Sequence, residues 1–263
     1  MPVLDLFKSK GLLRRVDAGL PTEAVWSNVR KLFAPTVVFV LGSPGAGKAT
    51  LCSRIPASSG FQHLSAGDLL REECNNPGSD LGEGISAHLS GGTLVPAATI
   101  VELLRKAMER RGWEGGRYLI DGFPRNVENF EAWQTTLGER VNLKCVLLLQ
   151  VSEEVTLQRR LRQAKTSGRS DDNPETIQKR ISLYAEASKA LTDRLLQQGL
   201  LHTINAEQSP DDVWSCAQEV LHNELDVHIR NQAVVILKPH ACNADAERFV
   251  KSYLASHNVA VVK

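Results

Sequence analysis

The sequence predicts an α/β fold organised around a parallel, doubly wound sheet. Three observations carry that expectation. Strand-length apolar runs alternate with helical stretches between residues 36 and 225, a glycine-rich loop ending in a lysine follows the first run, and arginines sit at the turns after later ones. The runs are Val37–Leu41, Phe61–Leu64, Tyr118–Ile120, Val146–Val151 and His202–Ile204. They are short, largely unbroken and rich in Val, Leu and Ile, the pattern of strands covered on both faces. Between them, Ala97–Arg111 and Pro174–Gln198 read as helices. Strand-then-helix alternation implies right-handed crossovers, and such sheets bind ligands beyond the carboxyl ends of their strands.

The flanks of this region, residues 1–35 and 226–263, read differently from residues 36–225. In the first, Glu23–Phe33 places Val25, Trp26, Val29, Leu32 and Phe33 near one helical face, and Pro35 ends the helix before the first strand. The expectation is a helix packed on the main domain, with a partner-docking or targeting element as the alternative. In the last segment, a strand (Ala233–Leu237), a helix (Ala244–Ser256) and a strand (Val259–Val262) form one β-α-β unit whose sheet would be incomplete alone.

Composition excludes several classes. A chain of 263 residues with 42% hydrophobic and 23% charged residues can bury a full core, so disorder is ruled out. Thirty-one Lys and Arg against thirty Asp and Glu leave a net charge of +1, without the basic surplus of a nucleic-acid binder. No apolar run approaches the ~18 residues of a membrane span. Neither nucleic acid nor membrane is an expected partner. Five cysteines, odd in number and with no CxxC pair, argue against a disulfide framework and a structural zinc site. A reducing, cytoplasmic setting fits them. The N-terminus has no secretory apolar core; an organelle-targeting role for it is the alternative, against which Asp5 and Asp17 count.

The loop reads Gly42-Ser-Pro-Gly45-Ala46-Gly47-Lys48-Ala49-Thr50. Its glycines let the backbone curl so that amides point at phosphate oxygens, and the following helix adds its N-terminal dipole. Lys48 supplies a cation to the β- and γ-phosphates. The strict phosphate-loop pattern has Ser or Thr directly after the lysine; here Ala49 intervenes, so position 49 cannot offer magnesium a hydroxyl. Three further motifs follow: His63-Leu-Ser-Ala-Gly-Asp-Leu-Leu-Arg71, Ile120-Asp121-Gly122-Phe123-Pro124-Arg125-Asn-Val-Glu-Asn129, and Ser167-Gly-Arg169-Ser-Asp171-Asp172-Asn173, with Arg180 eleven residues after Arg169. Phosphoryl transfer needs positive groups that hold two nucleotides in line more than it needs covalent chemistry. Lys48, Arg71, Arg125, Arg169 and Arg180 form such a set.

These motifs together resemble the nucleoside monophosphate kinases of the adenylate kinase fold family, and within it the UMP-CMP kinases, over about Thr36 to His222. The resemblance implies a P-loop kinase with a five-stranded sheet, a mobile acceptor-binding segment at 65–95 and a short lid at 163–173. The lid is too short for the long inserted form and has no cysteine quartet, so no zinc is expected. The resemblance further implies that Gly45, Ala46, Gly47, Lys48, Ala49 and Thr50 cradle ATP and that Arg71 and Arg125 grip the acceptor phosphate. Arg169 and Arg180 would close over the transition state, with Asp171 and Asp172 helping latch the lid. Asp121 would orient magnesium-bound water, so Mg2+ arrives with ATP and no residue binds metal directly. Gly122, Phe123 and Pro124 would shape the acceptor turn, Thr93, Leu94 and Val95 would lie along the acceptor base, and Arg159 and Gln208 would frame the donor adenine.

Two positions bear on the base. Ala66 stands where adenylate kinases tend to have Thr, and Asn129 where they tend to have Gln. Both favour a pyrimidine. UMP and CMP are therefore the expected acceptors, with dCMP a further candidate; an adenylate kinase using AMP and a catalytically weak nucleotide-binding scaffold are the alternatives. A monomer is expected. Departures from the pattern are Ala49 for the usual Gly, Thr93 for a frequent Lys, and Gln163-Ala164 where the family carries Arg-Gly, six and five residues before Arg169. Arg162 is adjacent but points about 100° away on a helix. One cationic donor contact is expected to be missing. The segment Val235-Ile-Leu-Lys-Pro-His240 resembles the opening of a nucleoside diphosphate kinase domain, without the catalytic histidine of that family, and no second activity is expected from it.

Overall fold

The computed structural model describes residues 2–9, 13, 15–55, 60–91, 93–167, 174–225, 248 and 252, without the side chains of 2, 3, 9, 164–167, 174–176 and 180. Two units are distinguished by their contacts, Phe33–Val227 and a second formed by Met1–Leu32 with His228–Lys263. Of the second, α1 (Pro2–Ser9) and α2 (Thr22–Leu32) are described, and α2 starts and ends one residue before the predicted helix. The predicted strands Ala233–Leu237 and Val259–Val262 lie outside the described residues; within the predicted helix Ala244–Ser256, Arg248 and Ser252 are described, and both are helical.

The larger unit runs β1 (Thr36–Gly42), α3 (Lys48–Arg54), β2 (Phe61–Ser65), α4 (Ala66–Cys74), α5 (Gly82–Gly91), α6 (Ala97–Arg111), β3 (Arg117–Asp121), α7 (Val127–Leu137), β4 (Asn142–Gln150), α8 (Glu153–Ser167), α9 (Pro174–Gln197), β5 (Leu201–Asn205) and α10 (Pro210–Leu225). Its five strands are all parallel in the order β2-β3-β1-β4-β5. From β1 the chain goes out to the edge strand β2, returns to β3 beside β1, then crosses to β4 and β5, so the connections leaving β1 and β3 run in opposite directions. Ligands sit at that kind of switch point, and the glycine loop leaves β1 there.

Period-two alternation along β1 divides the core into two layers. Val37, Phe39 and Leu41 face one side, with Leu69, Leu104, Trp133 and Leu195. Val38 and Val40 face the other, with Leu51 of α3 and Val213, Ala217 and Leu221 of α10. The first layer holds an aromatic cluster: Phe39 meets Trp133 edge-on at 5.1 Å and Phe123 at 6.0 Å. This anchors the turn after β3, and Phe123 itself is fully buried.

One strand departs from its expected bounds. β4 starts at Asn142 and ends at Gln150, where the apolar run had suggested Val146–Val151. Its first half alternates polar Asn142 and Lys144 with Leu143 and Cys145, so the strand is there without a continuous apolar run. The β1–β4 register shifts between Val37 and Val38 to absorb the mismatch. At the other end, Ser152 begins the α8 turn by accepting the Thr156 amide. Gln163, the first residue of the expected lid, lies inside α8, and residues 168–173 lie outside the described ones. No described helix is long and apolar enough to cross a membrane.

Candidate active site

The glycine loop adopts backbone angles that a side chain resists. Gly45 and Gly47 have φ of +95° and +96°, in the left-handed region open chiefly to glycine. A Cβ on Gly45 would come within 2.7 Å of Arg160 Cγ and 3.0 Å of the Thr156 carbonyl oxygen, so the loop also lies tightly on α8. Ser43 and Thr156 join their hydroxyls at 2.9 Å across the same contact. The loop then enters α3 at Lys48, with the Leu51 amide donating to Gly47.

Lys48 Nζ donates to the Gly42 and Ser43 carbonyl oxygens at 2.8 and 3.0 Å. The ammonium thus satisfies loop carbonyls at the place where phosphate oxygens would take over. Its pKa is lowered to about 8, chiefly by burial; the Asp121 carboxylate opposes that shift and the Arg125 and Arg160 guanidiniums add to it.

Asp121 ends β3, 7% exposed, and its Oδ2 lies 2.5 Å from His63 Nε2. Cys52 completes a close trio with them, but burial pushes its thiol well up and keeps it neutral. Asp121 and Thr50 both line the cleft beside the loop. They are hard oxygen donors of the kind that magnesium takes through water, so this end of the site fits a magnesium–nucleotide.

The cleft has a volume of about 520 Å3 and opens at the carboxyl ends of the strands. Arg71 enters from α4, paired with Asp68 and lying over Gly67. Thr93 and Leu94 enter from the α5–α6 connection, with Thr93 Oγ1 2.9 Å from His88 Nδ1. Gly122, Pro124 and Arg125 come from the turn after β3, where Arg125 Nε donates to the Gly122 carbonyl oxygen at 3.0 Å. At the far end, Arg159 donates to the Ala206 carbonyl oxygen at 2.8 Å, and Gln163, Gln208 and Pro210 complete the wall.

Of the predicted residues, Gly45 to Thr50, Arg71, Thr93, Leu94, Asp121, Gly122, Pro124, Arg125, Arg159, Gln163 and Gln208 all line this one cleft. Three described residues do not. Phe123 belongs to the aromatic cluster behind the turn, and Val95 is 5% exposed within the core layer beneath α6. Asn129 is 2% exposed, and its Oδ1 accepts the Arg125 amide at 3.1 Å. Its own amide is capped by Asn126 Oδ1 at 2.8 Å, so Asn129 braces the Phe-Pro-Arg turn from the start of α7. Arg169, Asp171 and Asp172 lie outside the described residues. Position 180 falls on α9 one turn before Tyr184, and its side chain is not described.

Arg160 and Tyr184 are among the cleft residues that the sequence reading passed over. The Tyr184 hydroxyl is held by Ser188 and the Gly42 backbone, and burial raises its pKa to about 12. Its signal was helical spacing: Leu183, Tyr184 and Ala187 recur at i, i+1 and i+4 and all three line the cleft. Arg160 looked like one charge in a polar helix.

Comparison with known proteins agrees with this geometry. The family model for adenylate kinase matches residues 40–200. A UMP-CMP kinase of Danio rerio is 42% identical over 193 residues, which cover 72% of this chain and 98% of that protein. UMP-CMP kinases of Bos taurus and Homo sapiens are 40% and 39% identical over the same shares. With a parallel five-stranded sheet and a phosphate loop at its switch point, this chain belongs to the adenylate kinase family and is a nucleoside monophosphate kinase.

Proposed function

We propose that the chain transfers the γ-phosphoryl group of Mg-ATP to UMP or CMP, giving ADP and the nucleoside diphosphate, with dCMP as a further acceptor. The observation that carries this reading is the continuity of the cleft. Arg71, Thr93 and Arg125 lie at one end, Arg159 and Gln208 at the other, and Lys48 between them. Two nucleotides laid along it meet phosphate to phosphate at the loop. The relatives named UMP-CMP kinase support the choice of base.

In this mechanism an acceptor phosphate oxygen forms the new bond to the γ-phosphorus as the bond to the β,γ-bridging oxygen breaks, and ADP leaves. The acceptor's second ionisation lies near ~6, so its oxygen is already anionic at neutral pH and no general base is required. Arg71 and Arg125 hold the acceptor phosphate in line. Lys48 leaves the loop carbonyls to follow the γ-phosphoryl oxygens as charge spreads over them. Arg169 and Arg180 close over the reacting group, and Asp121 would hold the metal through its water when a magnesium–nucleotide is bound. Magnesium arriving with ATP would supply charge neutralisation on the nucleotide phosphates. Closure of 65–95 and 163–173 excludes water and prevents idle hydrolysis of ATP.

Base choice falls to Asn129. Its Oδ1 is committed to the Arg125 amide and it sits behind the open cleft, so a base would reach its Nδ2 as the acceptor segment closes, and that donor suits O4 of uracil and N3 of cytosine. One donor group thus serves both pyrimidines. We further place the protein in the cytoplasm as a monomer; free thiols at Cys52, Cys74, Cys145 and Cys216 fit a reducing compartment.

The test is ADP formation by the purified chain with Mg-ATP and each of UMP, CMP, dCMP and AMP. Turnover with the pyrimidines and little with AMP is expected. Preference for AMP overturns the base assignment. Bound ATP with no turnover on any acceptor overturns the catalytic one and leaves a nucleotide-binding scaffold.

A further inference from the structure

The departure at Gln163 removes a guanidinium that the family pattern places at the mouth of the donor site. One turn earlier on α8 stands another. Arg160 is 6% exposed, and its side chain lines the cleft. Its Cγ and Cδ lie against Gly45 of the phosphate loop, 2.7 and 3.1 Å from where a Cβ on that glycine would sit. Its Nη1 donates to Gln163 Oε1 at 2.7 Å.

A buried guanidinium is expensive to desolvate and is retained where an anion or a strong acceptor set meets it. Gln163 supplies one acceptor, and that contact orients the group beside the loop. Residues three apart on a helix share a face, so the two side chains reach the loop from the same side. Arg160 also stands close enough to Lys48 to help lower its pKa, which places both cations in one field. A triphosphate entering the loop meets that concentrated positive charge.

We propose that Arg160 is a donor-phosphate ligand, gripping the polyphosphate of a nucleoside triphosphate at the loop, and that Gln163 is its positioning residue. The cation missing at 163 has moved one helical turn, and the amide now there aims it. This rests on the kinase reading only in taking the ligand to be a nucleotide polyphosphate.

The test measures Mg-ATP binding without acceptor, by calorimetry, alongside steady-state constants with UMP. Arg160→Met is expected to weaken ATP binding about 10- to 100-fold, the loss of one charge-assisted contact, with KM for UMP unchanged. In Arg160→Met/Gln163→Arg, a guanidinium returned at the family position is expected to restore most of the affinity. Gln163→Leu, at an exposed position, is expected to raise KM for ATP several-fold while leaving the melting temperature in place. Wild-type ATP affinity in Arg160→Met overturns the proposal, as does a folded double variant with no recovery. Should Arg160→Met fail to fold, unchanged ATP affinity in Gln163→Leu overturns it. A chain that binds ATP through Arg160 yet phosphorylates no acceptor upholds this inference and overturns the catalytic one.

Discussion

The two ends of the cleft are built differently. At the acceptor end each functional group is held by residues a few positions away: Arg71 by Asp68, Arg125 by Gly122 and Asn129, Thr93 by His88. At the donor end the ties span the chain. Ser43 meets Thr156, Arg159 meets Ala206, Arg54 meets Asp211, and Gly45 packs on Arg160. A motif that braces itself can be carried intact in a short stretch of sequence. A site assembled from four distant segments can shift a cation by one turn and stay functional, provided the partners shift with it. The acceptor end keeps most of the family pattern, Thr93 apart; the donor end carries the larger departure, at Gln163-Ala164.

The largest expected effects sit where the two ends meet. Arg125→Ala is expected to lower kcat by at least about 10^3 through loss of transition-state charge stabilisation. Among its ties it gives up the hydrogen bond to the Gly122 carbonyl while the core layers stay intact, so the fold should survive and the melting temperature should fall by several degrees at most. Lys48→Met is expected to cost transfer as much but to act oppositely on stability. The folded lysine binds its proton less tightly than the unfolded one, with a pKa of about 8 against 10.5. Between those values the unfolded state carries more protons, so wild-type stability rises with pH through that window. Removing the buried cation lifts a penalty of up to about 3 kcal/mol below pH 8. Turnover assays and thermal melts on both variants check this; wild-type turnover in either one removes it from the reaction centre.

Next comes Gly45→Ala, which separates the ends. The left-handed backbone angle and the contact with Arg160 each resist a methyl group. Strain of about 1–2 kcal/mol is expected. The loop and Arg160 both move, so ATP affinity should fall about 10- to 100-fold while KM for UMP holds. Equal losses at both ends would mean that the loop, and not its seat on α8, governs the whole cleft.

The same contrast explains what could be read from sequence. The Val37–Leu41 run marked β1, and the Ala97–Arg111 stretch marked α6, because local composition alone decides them. The loop glycines and the Phe-Pro-Arg turn carried their chemistry in their spacing. β4 was cut short because Asn142 and Lys144 interrupt its apolar run, and its pairing with β1 is a tertiary fact. Asn129 stood out in the sequence by its place after the Phe-Pro-Arg turn, but its service to the Arg125 amide was not legible there. Arg160 was illegible: a charged residue on a polar helix becomes a cleft residue only once Gly45, more than a hundred positions earlier, lies against it.

The pH profile sharpens the donor end further. ATP binding should favour the protonated Lys48, since phosphate oxygens then replace the loop carbonyls around a full charge. Affinity for Mg-ATP in the free enzyme is expected to fall about tenfold per unit as pH rises above about 8. The fall levels off once the pKa of the bound complex is passed. KM for UMP should not share this break, because guanidiniums and not an amine line the acceptor end. A common break in both constants would place the titrating group in a shared conformational step.

The smallest effect tests whether the donor end holds another relocated cation. Arg54 of α3 reaches the cleft and pairs with Asp211 of α10 at 2.5 Å, the two side chains being 34% and 87% exposed. An exposed pair of this kind contributes about 0–1 kcal/mol. Arg54→Ala is therefore expected to change KM for ATP less than about twofold and the melting temperature by only a few degrees, with salt erasing the difference. Arg160 differs in being enclosed: it is desolvated against the loop backbone and oriented by Gln163, so its contact with phosphate is not diluted by water. If Arg54→Ala instead weakens ATP tenfold at physiological salt, exposure is not what separates the two arginines. The donor end would then be a diffuse basic rim, and the one-turn exchange between 160 and 163 would be one contribution among several.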